Sequence, residues 1–293
     1  MEVREHEPMS RHTSFGAGGA ADWYVIPESA EELMAALAKC RSAGIPWYVI
    51  GNGSNLLVSD DGFHGVIVST ERLCSLKIRP GADAQTAYLI CGAGTSLPKA
   101  AGMAVREGLT GLEFAAGIPG SVGGAAAMNA GAYGEEIKDV LQSLTVLDTE
   151  GKVCELGINE LAMGYRTSAV MERGLLVLEA VFALKKGEPI AIRSRMEELL
   201  AKRREKQPLE YPSAGSTFKR PAGYFAGRLI EDAGLKGFTI GGAQVSEKHA
   251  GFVINRGGAS ASDIFCLCEE VKRQVRERFG VELELEVRLL GSF

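Results

Sequence analysis

The apolar positions of this chain change period several times, and each change marks an element. In PESAEELMAALAKCRSAG the apolar Leu33, Leu37 and Cys40 recur at helical spacing, and Ser29 and Glu32 stand as the two halves of a capping box. A helix is expected there, followed by a strand at IPWYVI, a loop at GNGSN, the short apolar run LLVSD and a strand at GVIVST. A second block holds a strand at TAYLICGAG, a helix at SLPKAAGMAVREG and a hairpin at LQSLTVLDTEGKVCEL with Glu150 and Gly151 in its turn; a strand at GLLVLEAVFAL closes it. The third block starts with the charged helix EPIAIRSRMEELLAKRREKQ, which the prolines of QPLEYPSAGSTFKRP stop. A short helix at YFAGRLIEDAG, strands at GFTIGGAQVS and GFVIN, and a helix at SASDIFCLCEEVKRQVRERFG follow. Ser260 and Asp263 would cap that last helix at its start and Gly280 at its end, and VELELEVRLL alternates as a closing strand. Strands dominate with helices interspersed, so the expected fold is α+β, in three domains at 1–70, 71–187 and 188–293.

Composition narrows the function. The 293 residues are 46% hydrophobic and 24% charged with a net charge of -5, ordinary for a globular protein. No stripe of Lys and Arg marks a nucleic-acid or membrane surface. The first residues lack the apolar core of a signal peptide, and no apolar run is long enough for a bilayer, so a cytoplasmic protein is expected; a monomer is expected as well, with no sequence signal of its own behind it. Six scattered cysteines form no C-x-x-C and read as reduced thiols; Cys266 and Cys268 should point to different faces of one helix. The four histidines make no metal-binding pair, so no metal is expected.

Glycine concentrates in GLEFAAGIPGSVGGAAAMNAGAYG, residues 111–134. Within it, Gly117-Ile118-Pro119-Gly120-Ser121-Val122-Gly123-Gly124 can present backbone N–H groups with few side chains in the way, the kind of concavity that holds phosphate oxygens. A close contact between elements through small residues is the competing reading, and composition leaves both open. Two more loops follow strands, Gly51-Asn52-Gly53-Ser54-Asn55 and Gly92-Ala93-Gly94-Thr95. Neither is G-x-G-x-x-G, since Leu56 and Leu97 stand at the third glycine position, and neither is a P-loop. Three such loops favour a ligand with two phosphates. Arg166 in GYRTS, Ser216 in AGSTF and Glu286 in LEVR, each taken alone, read more readily as surface or turn residues than as functional ones.

Together, HTSFGAGGAADW, GNGSNLLVSDDGFHG, the glycine-rich segment, GYRTS, AGSTFKRP, AGRLIEDAGLKG, SEKHAGFVIN and LEVRLLG run in an order that resembles the UDP-N-acetylenolpyruvoylglucosamine reductase family, from about Arg11 to Gly291. His12 stands where many members have asparagine, and the tyrosine-bearing loop of the longer subgroup is missing. The resemblance implies an FAD-binding fold of the vanillyl-alcohol-oxidase type, with two FAD-binding subdomains and a C-terminal substrate domain. It implies non-covalent FAD, NADPH as co-substrate, and reduction of UDP-N-acetylglucosamine enolpyruvate to UDP-N-acetylmuramate for peptidoglycan synthesis. The FAD contacts it implies lie at Gly51, Asn52, Gly53, Ser54, Asn55 and Leu56, at Gly94, at Gly117, Ile118, Pro119, Gly120, Ser121, Gly123 and Gly124, and at Asn129 and Ala130. It assigns catalysis to Arg166, Ser216 and Glu286: charge stabilisation, proton donation and an orienting acid. Tyr165, Lys219, Arg228 and His249 are the expected substrate contacts, His249 being equally a structural histidine. An FAD oxidase on the same fold, or a nucleotide-binding protein without turnover, are the rivals; the GYRTS and AGSTF pair favours the reductase.

Overall fold

Helices begin where capping residues place them. In the computed structural model, which describes residues 1–293, the helix Ala30–Ala43 starts with the Ser29 side chain accepting from Glu32 N–H and ends on Gly44 at φ +64°. The helix Ala261–Phe279 opens with the reciprocal Ser260–Asp263 box and stops at Gly280, φ +67°. Both glycines sit where an L side chain would strain the backbone. On that helix Cys266 is exposed and Cys268 buried, as their spacing predicts.

The chain divides into two compact units, each discontinuous in sequence. The first comprises Met1–Val3, Val25–Asn52 and Ile67–Arg203. Its centre is an antiparallel sheet in the order Val153–Gly157, Leu141–Leu147, Leu176–Lys186, Thr86–Gly92, Leu76–Pro80, with Leu109–Thr110 also paired to the long strand. The turn joining Leu141–Leu147 to Val153–Gly157 holds Gly151 at φ +90°. The helix Leu97–Arg106 covers the sheet through Leu97, Ala100, Ala101 and Ala104, which join Leu89, Val146, Ala180 and Phe182 in one core. The helix Pro189–Lys206 buries only Ile192 and Leu199, in keeping with its charged sequence.

The second unit comprises Arg4–Tyr24, Gly53–Val66 and Arg204–Phe293. Its helix Ala261–Phe279 buries Ile264, Leu267, Val271 and Val275 in a core shared with Phe15, Ala17, Leu57, Phe218, Val245 and Val253. The hairpin Thr239–Ile240 and Ala243–Val245 continues to Val253–Asn255 as a small antiparallel sheet. Four strands of the chain, in the order Glu2–Pro8, Ala20–Ile26, Phe63–Ser69, Trp47–Ile50, form a further sheet.

One expected element is shorter than its pattern. VELELEVRLL is a strand only at Arg288–Leu290, where it runs parallel to Leu56–Val58. Before that, Leu283 and Val287 are buried while Glu282 and Glu284 are exposed, so the alternation is real. Alternation fixes faces; it does not supply a neighbour on each edge. Here the partner is the segment 217–219, which offers only the isolated bridge Phe218–Leu285.

Candidate active site

In the first unit the glycine loops close on one another. Gly123 N–H donates to the Ala93 carbonyl (2.9 Å), Val122 N–H to Thr95 (2.8 Å) and Leu97 N–H to Gly120 (2.8 Å). A Cβ on Gly51 would lie 2.1 Å from Ser121 Oγ, one on Gly94 1.8 Å from the Thr70 carbonyl oxygen, and one on Gly123 2.9 Å from the Ala93 Cβ. At these three positions the space denied to a side chain is filled by the protein itself, and the loops stack because of it. Ile118 and Gly120 form a tight turn through Gly120 N–H to the Ile118 carbonyl (2.9 Å), with Pro119 exposed beside it. Ser121 caps the helix Val122–Ala127 by accepting from Gly124 N–H at 3.2 Å. Ala130 is tied on both sides, to Ala125 and Ile137.

Does this surface fit FAD? In the first unit the N–H groups of Asn52 and Ser121 reach no acceptor within the protein, and Ser121 is buried; in the second unit those of Gly53 and Ser54 reach none, and Gly53 is buried. A buried N–H needs an acceptor. Donors on glycine-rich loops, free of carboxylates, suit phosphate oxygens, so the residues present fit the group.

Arg166 sits at the tip of a turn in which Gly164 and Thr167 pair, at φ +57°. Its guanidinium lies 5.1 Å from the ring centre of the exposed Tyr165. Asn129, fully buried, donates to the Gly164 carbonyl (2.9 Å) and to Glu136 Oε2 (3.0 Å) and accepts from Lys138 N–H (2.9 Å). Burial pushes the Glu136 carboxyl up, but hydrogen bonds from Lys138 and Asn129 and the charges of Lys138 and Arg166 hold it below its ordinary value.

In the second unit Ser216 is exposed between Gly215, φ +75°, and the fully buried Thr217. Thr217 is held at every polar atom: its N–H donates to Gly251 (2.9 Å), its carbonyl accepts from Glu286 N–H (2.9 Å) and its hydroxyl oxygen from Val253 N–H (2.9 Å). Glu286 is therefore paired with the residue next to Ser216. Its carbonyl accepts from Asn55 Nδ2 at 3.0 Å, and Arg288 N–H donates to the Asn55 carbonyl at 3.0 Å. Gly53, at φ +57°, passes so close that a Cβ would lie 1.9 Å from the His12 carbonyl oxygen. Leu56 is core.

The expected substrate contacts in this unit have partners of their own. Lys219 pairs with Glu284 (2.9 Å) and Arg228 with Asp232 (2.9 Å), both exposed. His249 Nδ1 accepts from Gly251 N–H (3.1 Å), and its ring packs edge-on against Phe252. Burial pushes its pKa down, so the neutral, accepting form is favoured. Through Gly251 it shapes the turn that fixes Thr217.

One residue at the glycine loops escapes sequence reasoning. Arg203 Cδ lies 2.8 Å, and Nη1 3.3 Å, from where a Gly117 Cβ would be. Burial lowers its pKa, and the one opposing influence comes from the nearby Tyr133. In the sequence it is one basic residue among several on a charged helix, and nothing singles it out.

A family described as "FAD binding domain" matches residues 21–157, and one described as "UDP-N-acetylenolpyruvoylglucosamine reductase, C-terminal domain" matches residues 207–290. The chain is 51% identical over 291 residues to the UDP-N-acetylenolpyruvoylglucosamine reductase of Clostridium novyi, covering 99% of this chain and 93% of that protein. It is 52% identical over 292 residues to that of Lachnoclostridium phytofermentans, covering 98% and 92%. The crystal structure of the Thermus caldophilus enzyme superposes with a TM-score of 0.81 at 36% identity, covering 99% of this chain and 98% of that one.

Proposed function

Because the chain belongs to the UDP-N-acetylenolpyruvoylglucosamine reductase family, we propose that it performs the family's reaction with NADPH as electron donor and with Arg166, Ser216 and Glu286 as its working side chains. The reaction is the FAD-dependent reduction of UDP-N-acetylglucosamine enolpyruvate to UDP-N-acetylmuramate. The observation that supports the reading best is the stack of glycine loops in the first unit, whose Ser121 N–H is buried without a protein acceptor. Asn52 and the turn at 117–120 would hold the pyrophosphate beside it, and Arg203 would add a cation at Gly117; Gly53 and Ser54 stay as expected FAD contacts. Residues 1–70 and 71–187 as two FAD-binding subdomains and 188–293 as the substrate domain are our functional division; the family matches at 21–157 and 207–290 support an FAD-binding part followed by a substrate part, while the two compact units are cut at other bounds.

The chemistry that bound FAD supplies is two-electron transfer, with hydride taken from NADPH and given to the vinyl carbon farthest from the substrate carboxylate. Negative charge then develops on that carboxylate. A guanidinium suits it, being always charged and presenting forked donors, and Arg166 is the candidate. The neighbouring carbon needs a proton, which Ser216 Oγ–H would deliver from hydrogen-bond distance. Glu286, fixed by Thr217 and Asn55, would orient or reprotonate that serine. Tyr165, Lys219, Arg228 and His249 would line the substrate's side.

The test is anaerobic flavin absorbance through one cycle. NADPH should bleach the yellow band and UDP-N-acetylglucosamine enolpyruvate should restore it without oxygen. Recovery only in air would support an oxidase instead. Ser216→Ala should keep the bleaching step and slow the return on the order of 10²–10³-fold; equal loss of both steps would remove the serine from its role.

A further inference from the structure

The turn that carries Arg166 is held in an unfavourable conformation by contacts that the reaction itself does not require. Arg166 has φ +57°, a region that residues with a Cβ enter only at a cost. Such a conformation persists when its surroundings over-determine it. Two anchors do so. At one end Asn129 Nδ2 donates to the Gly164 carbonyl (2.9 Å), the same carbonyl that receives the Thr167 N–H at 3.4 Å and closes the turn. At the other end the fully buried Ser168 donates its hydroxyl to the Ala127 carbonyl (2.6 Å). Both anchors lead to residues 127–129, at the C-terminal end of the glycine-rich helix Val122–Ala127.

Asn129 is built for this contact. It has no exposed surface, sits at φ +44°, and uses both ends of its amide. Its acceptor meets an N–H at Lys138, and its donors meet two oxygens, at Gly164 and Glu136. A flipped amide would oppose like groups at all three, so the orientation is determined by its partners. A buried amide so engaged has one donor hydrogen bond directed at the base of the Arg166 turn and another at Glu136, a carboxylate within the field of the Arg166 charge.

We infer that Asn129, with Ser168, is a positioning residue for Arg166: it holds the turn so that the guanidinium meets the substrate carboxylate, and it does not itself contact FAD. The inference rests on the catalytic reading of Arg166. It departs from the sequence-based expectation that Asn129 is a cofactor contact, because the partners that expectation would leave open are taken by Gly164, Glu136 and Lys138.

The experiment compares the holoenzyme with Asn129→Gly, Arg166→Ala and the double variant. Glycine removes the amide while keeping the left-handed backbone accessible. Three readouts are needed: FAD affinity by titration of the apoprotein, the anaerobic rate of bleaching by NADPH, and the rate of colour return with UDP-N-acetylglucosamine enolpyruvate. Asn129→Gly is expected to leave FAD affinity and bleaching unchanged and to slow colour return about 10–100-fold, the scale set by misplacing a reacting group by about an ångström. The double variant should be no slower than Arg166→Ala alone, because the amide acts through the arginine. Weakened FAD binding in Asn129→Gly, or losses that multiply in the double variant, would overturn the inference. Unchanged colour return in Arg166→Ala would instead overturn the catalytic reading beneath it. Ser168→Ala gives a second route should Asn129→Gly not fold. It should reproduce the same selective slowing, and a colour return as fast as wild type in Ser168→Ala would count against the anchored turn.

Discussion

At the scale of single residues, the fold treats similar sequence signals differently, and partners decide which. His249 and Arg166 both stood out in short motifs. His249 proves to be engaged: its Nδ1 accepts from Gly251 N–H at 3.1 Å, and Gly251 in turn accepts from Thr217. This contact needs a neutral ring, and burial holds the pKa below its ordinary value. The unfolded chain therefore binds a proton to this histidine more readily than the folded one does. The resulting stability is fully present above the unfolded value, about pH 6.5, and falls as the pH drops below it. His249→Leu should cost about 1–2 kcal/mol above pH 7 by leaving the Gly251 N–H unpaired. Its deficit relative to wild type should shrink toward pH 5.5, as urea denaturation at the two pH values would show; a deficit that grows on acidification would mean that the ring is held charged. The Arg166 motif pointed to the right turn, yet nothing local revealed its anchor. Asn129 lies 37 residues upstream in a stretch whose composition advertises glycine, and an amide's hydrogen-bond partners have no period to read.

At the scale of elements, caps and turns were legible and loop closure was not. Ser29 with Glu32, Ser260 with Asp263, and Gly151 in the hairpin act where their spacing placed them, because each bonds within a few residues of itself. The strand Glu2–Pro8 carries mixed charge and no clean alternation, with only Glu7 in its buried class, so polarity hid it. The glycine loops posed the harder problem, since small residues serve a ligand or a neighbouring backbone equally well. The structure shows the neighbour at Gly94, where an added Cβ would lie 1.8 Å from the Thr70 carbonyl oxygen and 3.2 Å from Leu73 N. Backbone cannot yield as a side-chain tip can. Gly94→Ala should therefore displace the loop and destabilise the protein by about 1–3 kcal/mol or more, lowering Tm and the FAD retained on purification together. Gly124→Ala is the control: Gly124 is exposed and its nearest atom, Ser121 Oγ, is 3.3 Å from the added Cβ. It should hold its Tm. A Gly94→Ala protein as stable and as yellow as wild type would show that the loop tolerates the shift, and close approach would no longer explain that glycine.

At the scale of the whole molecule, the division into units cuts across the order of the chain. Reading along the sequence shows the helix Ala261–Phe279 and its apolar face but not what that face meets. Its core includes Phe15, Ala17 and Leu57, from the other end of the chain. Asp60 accepts from the N–H groups of Ala261 and Ser262 at 2.7 and 2.8 Å, and Asn255 Nδ2 donates to the Phe15 carbonyl at 2.9 Å. The strand Arg288–Leu290 finds its partner at Leu56–Val58. A unit assembled this way cannot complete its core until both ends of the chain are present, and contacts so distant in sequence carry the greatest loop-closure cost in folding. Phe15, with no exposed surface, is the probe. Phe15→Ala in the full-length protein should cost about 3–5 kcal/mol. The loss should appear in amide exchange as reduced protection at Leu267, Val271 and Val275, the buried positions of that helix, more than 250 residues away in the chain. If the helix kept its protection while only the segment around Phe15 opened, residues 204–293 would hold their core unaided, and the N-terminal segments would be attachments to that unit and not part of its interior.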